Sequence, residues 1–250
     1  MLFYTVVHYF DDKQRWKSER RNPKMKYNNI KKHIKCFLNL DIKDKKFILI
    51  SAIDNPRGDK RYNVVKKELT NICKELLPEI SFNVIVRFNW GGTIAALWDY
   101  YLTIKNSKIH DKSYIAHFEE DFGPKDNSWF VECKRLLEEN NNIYVGETTI
   151  GRVKRENDDN RQGPDHAGQP HLADPEVWTQ GGLRFTTIGR LKKIEKKIGI
   201  FHKGNPNILY RHRIDGISIG EVGFPTLLHH NGFNFGCLHR DTYFIHEWCG

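Results

Sequence analysis

Residues 113–124 form the stretch SYIAHFEEDFGP, which decides the fold that the sequence predicts. Its opening part, 113–116, is apolar and β-prone and predicts a buried strand. Three carboxylates then follow one another, Glu119, Glu120 and Asp121. Because like charges this close repel, a divalent cation such as Mg²⁺ or Mn²⁺ would stabilise them at the end of a core strand. A solvated acidic turn is the alternative interpretation.

Size and composition are those of a globular protein. The chain has 250 residues, of which 39% are hydrophobic and 12% aromatic, enough for a substantial core. A net charge of +9 favours an anionic partner, such as a nucleic acid, a phosphorylated small molecule or an acidic membrane. The five cysteines have no CxxC spacing, which is typical of free thiols in a reducing compartment.

The same sequence offers no targeting or membrane signal. The N-terminal apolar run has no basic leader, and no apolar stretch approaches the roughly 18 residues that span a bilayer. We therefore expect a soluble cytoplasmic protein, for which peripheral association with a membrane stays open.

Strand-like and helix-like patterns alternate through the first 150 residues. The predicted strands are 3–9, 47–53, 82–88, 113–118 and 143–147, and the predicted helices are 27–40, 61–77, 93–105 and 129–140. This alternation predicts an α/β fold, in which one mainly parallel sheet is flanked by helices within a single domain. Ligands of such sheets bind at the carboxyl ends of the strands, so we expect the polar strand ends to meet at one edge.

The pattern changes beyond residue 150. Residues 151–175 are polar and rich in glycine and proline, which is typical of a long functional loop. A strand-like segment at 177–183 follows, then helices at 187–198 and 220–231 and a strand at 233–238. The last β-like run extends to His246, and imidazole is a common ligand of divalent transition metals as well as a common structural group.

A glycine-containing turn precedes the third predicted helix. Asn89, Gly91 and Gly92 lie between a strand and the helix that opens at Thr93. Glycine lets a ligand approach the backbone, and the N–H groups of a helix start favour anions. An ordinary strand–helix turn would have the same composition.

Taken in order, these segments resemble the GT-A fold of nucleotide-sugar-dependent glycosyltransferases. The segments that carry the resemblance are a second strand ending in Asp54, NWGGT at 89–93, HFEEDF at 117–122, QGGLRF at 180–185, GEVGFPTLLHHNGF at 220–233 and the final His246. The resemblance spans nearly the whole chain and is to the family-2-like inverting enzymes. Two departures stand out, because EED replaces a DxD-type motif and Val222 replaces an expected second acidic residue.

The resemblance implies a metal-dependent transfer of a sugar from a nucleotide-diphosphate sugar to a hydroxyl of a glycan or glycoconjugate, with inversion. The implied cofactor is Mn²⁺ or Mg²⁺, and the donor is a UDP-sugar first, with GDP- and dTDP-sugars as alternatives. It also implies that 1–150 form the nucleotide-sugar-binding half of the domain and 151–250 the acceptor-binding and catalytic half.

The resemblance also implies roles for individual residues. Asp121 and His246 would hold the metal, and Glu221 would be the catalytic base, with Asp215 as second candidate. The residues expected at the nucleotide sugar are Thr5, Val7, His8, Asp54, Asn55, Arg57, Asn89, Gly91, Gly92, Glu119 and Glu120. The residues expected at the acceptor are Trp178, Gln180, Gly181 and Gly182.

Other functions stay open at this stage. A retaining GT-A enzyme would share the fold, and a sugar nucleotidyltransferase would share the acidic metal ligands, although its glycine-rich signature near the first strand is missing. A nucleic-acid-binding protein would suit the charge, but the sequence lacks a helix-turn-helix, RRM or zinc-finger pattern. A structural zinc site would need Cys237, His239, His246 and Cys249, whose spacing is irregular.

Overall fold

The computed structural model of the chain describes residues 1–10, 23–53, 60–88, 92–139, 141–148, 180–199 and 224–246. The strands in these ranges are β1 Leu2–Phe10, β2 Lys45–Ile53, β3 Phe82–Phe88, β4 Tyr114–Glu119, β5 Phe122–Pro124, β6 Tyr144–Thr148, β7 Gln180–Thr187, β8 Phe235–His239 and β9 Phe244–His246. The helices are α1 Pro23–Asn39, α2 Lys60–Leu76, α3 Gly92–Ile104, α4 Ser128–Glu139, α5 Ile188–Ile198, α6 Phe224–His230 and α7 Arg240–Tyr243.

Seven of the described strands form one mixed sheet, in the order β3-β2-β1-β4-β7-β6-β8. Strands β3, β2, β1 and β4 pair in parallel, and so do β6 and β8. Strand β7 runs antiparallel to both of its neighbours, β4 and β6. Strands β5 and β9 form a separate antiparallel ladder. The predicted α/β fold with a mainly parallel sheet is confirmed.

Helices cover both faces of the sheet because successive side chains of its central strands point to opposite sides. Leu2, Tyr4 and Val6 of β1 pack in one core with α1, α2 and α4. Phe3 and Val7 pack in the other core with α3, α5 and α6. The central strands β1 and β2 are therefore buried on both faces, as expected of a parallel sheet in a single α/β domain.

Helix α5 shows how the sequence sets the bounds of an element. Thr187 caps its start, because the side-chain hydroxyl accepts a hydrogen bond from the N–H of Arg190 at 3.3 Å. Gly199 ends it with a φ of 84°, a conformation that glycine adopts at low cost. Between the two, one face of the helix is buried, and its residues are Ile188, Leu191, Ile194 and Ile198.

Two predicted elements in the second half differ from the structure. The segment predicted at 177–183 is strand β7, which extends to Thr187, and 177–179 lie outside the described residues. The prediction of one continuous β-like run up to His246 is wrong. A helical turn, α7, separates β8 from β9, and the N–H of Phe244 closes it on the carbonyl of Arg240.

The described cysteines and helices agree with the composition. Cys36, Cys73, Cys133 and Cys237 are free thiols, as predicted, whereas Cys249 lies outside the described residues. Within the described ranges, no helix is both long enough and apolar enough to cross a membrane.

Candidate active site

The carboxyl ends of the parallel strands meet at one edge of the sheet. Across the β1–β4 pair Val7 lies opposite Glu119, and across the β1–β2 pair His8 lies opposite Ser51. His8 is buried, and its Nδ1 lies 3.2 Å from the hydroxyl oxygen of Ser51. The strand ends that the sequence analysis selected are therefore neighbours in space wherever they are described.

The three consecutive carboxylates lie where β4 leaves this edge. Strand β4 ends at Glu119, and Glu120 and Asp121 form the turn into β5. The N–H of Glu120 donates to the carbonyl of Val7 at 3.0 Å, which ties the turn to β1. The side chain of Glu120 is buried and Asp121 is half-buried. We call Glu119, Glu120 and Asp121 the acidic turn.

A threonine at the start of α3 holds the carboxylate of Glu119. The hydroxyl of Thr93 donates to Oε1 of Glu119, so the Thr93 oxygen is left to accept a hydrogen bond from the hydroxyl of Tyr9 at 3.0 Å. Burial and the charge of Glu119 raise the pKa of Tyr9 above its ordinary value, which keeps the phenol protonated as a donor. The ends of β1 and β4 and the start of α3 are thus joined by side-chain hydrogen bonds.

A buried histidine of α1 holds the backbone of the acidic turn. Nε2 of His33 lies 3.1 Å from the carbonyl oxygen of Glu119, and its Nδ1 lies 2.9 Å from the hydroxyl of Tyr4. Because a carbonyl only accepts, Nε2 carries the proton and Nδ1 accepts from Tyr4. Burial lowers the pKa of His33 to about 3, so the ring is neutral in this arrangement.

A second buried histidine repeats the arrangement on the other face of the sheet. Nε2 of His117 donates to the carbonyl of Thr93 at 2.9 Å, and its Nδ1 lies 2.5 Å from the hydroxyl of Thr5. Burial, aided by the positive charge of Arg184, lowers the pKa of His117 to about 3. The carbonyls of Glu119 and Thr93 fix the tautomers of the two histidines, because a carbonyl only accepts. Tyr4 and Thr5 are consecutive in β1 and point to opposite faces, so one strand provides the hydroxyl partner of both rings.

The last strand lies beside the acidic turn. In the β5–β9 ladder His246 is directly opposite Phe122, the residue that follows Asp121. The ring centroids of Phe122 and Phe244 lie 4.9 Å apart, and the two rings pack the strands together. The predicted metal ligands Asp121 and His246 are therefore brought close by the backbone, although they are 125 residues apart in sequence.

An ion pair that the sequence analysis did not select packs against Phe122 of this ladder. The guanidinium of Arg240 binds both oxygens of the fully buried Glu147, at 2.8 and 2.9 Å. The N–H of Gly182 donates to the same carboxylate at 3.1 Å. The pairing joins residues 93 positions apart, so no local sequence signal could have predicted it.

Solved structures give this arrangement a fold name. A mannosyltransferase from Pyrobaculum calidifontis, PcManGT, in complex with GDP-Man and Mn²⁺, matches with a TM-score of 0.51 at 8% identity, over 95% of this chain and 54% of that one. A protein from Desulfovibrio desulfuricans G20, provisionally described as a nucleotide-diphospho-sugar transferase, matches with a TM-score of 0.50 at 10% identity, over 95% and 79%. The chain has a GT-A fold.

Sequence comparison adds nothing to this. No protein-family model matches the sequence, and no curated protein matches it significantly. The chain spans about half the length of the mannosyltransferase, 54%. At 8% and 10% identity, the two matches establish the GT-A fold and no activity.

The described residues that were predicted to bind the nucleotide sugar fall into two groups in the GT-A fold. Thr5 and Val7 are fully buried inside β1, where the Thr5 hydroxyl bonds His117. His8, Glu119 and Glu120 lie at the carboxyl edge, and Gly92 is the first residue of α3. A contact between these residues and a nucleotide stays a prediction.

Other predicted residues belong to the second half or lie outside the described ranges. Gln180 and Gly181 begin β7, and Gly182 contacts the ring of Phe122 so closely that an added Cβ would lie 2.4 Å from it. The predicted residues that lie outside the described ranges are Asp54, Asn55, Arg57, Asn89, Gly91, Trp178, Asp215 and Glu221.

The carboxylates of the acidic turn suit a metal ion whose coordination is completed by oxygen atoms of a bound substrate. Among the described residues, no group of three or more His, Cys, Asp or Glu side chains has the arrangement of a closed metal site. Mg²⁺ in nucleotide enzymes is bound by one or two carboxylates together with substrate phosphates. Asp121, at the carboxyl edge and beside β9, offers a donor of that kind.

Proposed function

We propose that the chain is a metal-dependent glycosyltransferase that moves a sugar from a nucleotide-diphosphate sugar to a hydroxyl of a glycan or glycoconjugate. The observation that carries the proposal is the acidic turn, which lies at the carboxyl edge of a GT-A sheet with β9 and His246 beside it. In sheets of this kind ligands bind outside the carboxyl ends of the strands. The complex of the mannosyltransferase with GDP-Man and Mn²⁺ supports the pairing of nucleotide sugar and metal.

On this proposal Asp121 and His246 hold the divalent ion, Mn²⁺ or Mg²⁺, together with the phosphate oxygens of the donor. When bound, the ion neutralises the charge that develops on the nucleotide diphosphate as it leaves. Glu119 is oriented by Thr93 and serves as a further ligand or as its hydrogen-bonded support. The proposed role of Glu120 is a contact with the ribose, and its N–H ties the turn to β1.

The two halves of the domain have different tasks in the proposal. Residues 1–150 bind the nucleotide sugar, as the location of the acidic turn and of His8 at the edge of the parallel strands supports. Residues 151–250 bind the acceptor and supply the base. Trp178, Gln180, Gly181 and Gly182 are the proposed acceptor contacts. For Trp178 the reason is that an aromatic face suits the C–H surface of a sugar.

The proposed base is Glu221, with Asp215 as the second candidate. An inverting transfer needs one carboxylate that removes the proton of the acceptor hydroxyl as the new bond forms. Glu221→Gln should then lower turnover at least about 100-fold while nucleotide affinity stays unchanged. Turnover equal to wild type would remove Glu221 from the mechanism, and the anomeric configuration of the product, read by NMR, decides inversion.

Calorimetry of the wild-type chain tests the proposal as a whole. UDP, GDP and dTDP are titrated with and without Mn²⁺, and we expect one of them to bind only when the metal is present. Oligonucleotides are titrated in parallel at two salt concentrations. If no nucleotide binds but oligonucleotides do, with the steep salt dependence of phosphate contacts, the chain is a nucleic-acid-binding protein instead.

A further inference from the structure

In the ion pair between Glu147 and Arg240, the carboxylate partner is fully withdrawn from water. Glu147 is 0% exposed, and the side chain of Arg240 is 13% exposed. Nη2 of Arg240 donates to Oε1 and Nε donates to Oε2, which is the paired geometry that a guanidinium forms with a carboxylate. Removal of either partner would leave a buried charge uncompensated.

The same guanidinium contacts the residue that follows Asp121. The central carbon of the Arg240 guanidinium lies 5.0 Å from the centroid of the Phe122 ring, within the range of a cation–π contact. Phe122 is fully buried and also packs on Phe244. Arg240 thus links the end of β6, through Glu147, to the start of β5.

Arg240 also begins the segment that carries His246. It is the first residue of α7, which leads without a break into β9. The ladder that β9 forms with β5 has three residues in each strand. Because a two-stranded ladder of this size is marginal on its own, it needs an anchor elsewhere in the fold. The pair with Glu147 is one such anchor, since β6 lies inside the seven-stranded sheet; the packing of Phe244 on Phe118 of β4 is another.

We propose that Glu147 and Arg240 are positioning residues, a buried pair that holds β9 against β5 and so sets the place of His246 relative to Asp121. The consequence for metal binding rests on the proposed function. The geometric part, that the pair holds the ladder in place, does not depend on it.

Hydrogen exchange at the ladder tests the geometric part. The variants are Glu147→Gln, which removes the negative charge, and Arg240→Lys, which keeps the positive charge and loses the fork of two donors. Arg135→Lys is the control, because Arg135 forms an exposed ion pair with Glu132 on α4. We expect the amides of Phe122, Gly123 and 244–246 to exchange at least about tenfold faster in both variants, while those of β1 and β2 keep their wild-type rates.

The outcomes separate a positioning role from general stabilisation. Unchanged exchange at the ladder in the variants that fold would overturn the proposal. Faster exchange to the same degree in every strand would overturn it as well, since the pair would then support the whole fold. If Glu147→Gln does not fold, Arg240→Lys alone decides by the same two criteria.

Metal affinity provides the second measurement. In the presence of the nucleotide that the wild type binds, we expect Mn²⁺ affinity to fall about tenfold in both variants and to stay unchanged in Arg135→Lys. Equal Mn²⁺ affinity in variants whose ladder exchanges faster would show that the pair does not position the metal site. If the wild type itself binds no nucleotide with Mn²⁺, the proposed function fails, and the exchange experiment still decides whether the pair holds the ladder.

Discussion

The close approach of Gly182 to Phe122 predicts a large effect for the smallest possible substitution. A Cβ at position 182 would lie 2.4, 2.5 and 2.7 Å from three carbons of the Phe122 ring. Non-bonded carbons sit about 3.5 to 4.0 Å apart, so the ring would have to retreat by about 1 Å. The ring has little room, because it is fully buried. Its centroid lies 4.9 Å from the centroid of the Phe244 ring and 5.0 Å from the central carbon of the Arg240 guanidinium.

We therefore expect Gly182→Ala to lower the free energy of unfolding by about 3 kcal/mol, the upper end of the range for an overpacked core. Urea unfolding followed by circular dichroism measures it. Gly232→Ala is the control, because Gly232 has a φ of +72° but only the amine of Lys197 near its Cβ position, at 3.6 Å. That variant has backbone strain without overpacking and should cost about 1 kcal/mol.

A second substitution shows whether the ring is the cause. Phe122→Leu makes space beside position 182, so its cost should be smaller in the Gly182→Ala background than in the wild type. Strict additivity of the two changes would refute the steric explanation. A cost for Gly182→Ala no greater than that of Gly232→Ala would refute it too.

Two further predictions concern the groups that hold the acidic turn. Thr93→Val removes the donor to the Glu119 carboxylate and should lower the free energy of unfolding in urea by about 1.5 to 3 kcal/mol. Thr70→Val is the control and should lower it by less than about 0.5 kcal/mol, because the Thr70 hydroxyl bonds a carbonyl of its own helix. Equal losses in the two variants would contradict the role of the Thr93 hydroxyl. Burial lowers the pKa of His33 and His117 to about 3, so as pH falls below about 6.5 the unfolded chain takes up protons first. Stability is therefore complete above pH 6.5 and falls toward pH 3, by about 2 kcal/mol per histidine at pH 5. His33→Gln, which keeps a donor for the Glu119 carbonyl, should weaken this pH dependence, and an unchanged dependence would count against a buried neutral His33.

The sequence predicts the bounds of the first three strands well, because each contains a run rich in β-branched and aromatic residues. Strand β3 has the predicted bounds, Phe82–Phe88, and β1 and β2 extend the predictions by one or two residues. The insertion of antiparallel β7 between β4 and β6 was not predicted, because strand order depends on pairings between distant segments. Local periodicity contains no information about such pairings.

In the candidate site, too, the sequence shows what is local and misses contacts between distant segments. The acidic turn is visible in the sequence because its three carboxylates are adjacent. The groups that hold it are not, since His33 bonds the Glu119 carbonyl across 86 positions and Thr93 bonds the Glu119 carboxylate across 26. Read alone in the sequence, each of these residues looks like an ordinary core or surface residue, and only the fold shows its partner.

The central claim is that Asp121 holds a metal on which nucleotide binding depends, and calorimetry of Asp121→Asn tests it most directly. Asp41→Asn is the control, because Asp41 is an exposed carboxylate ahead of β2, at the opposite end of that strand from the carboxyl edge. We predict that Asp121→Asn keeps the wild-type fold and loses at least about 100-fold in Mn²⁺-dependent nucleotide affinity, while Asp41→Asn binds as the wild type does. Wild-type affinity in a folded Asp121→Asn variant would contradict the account.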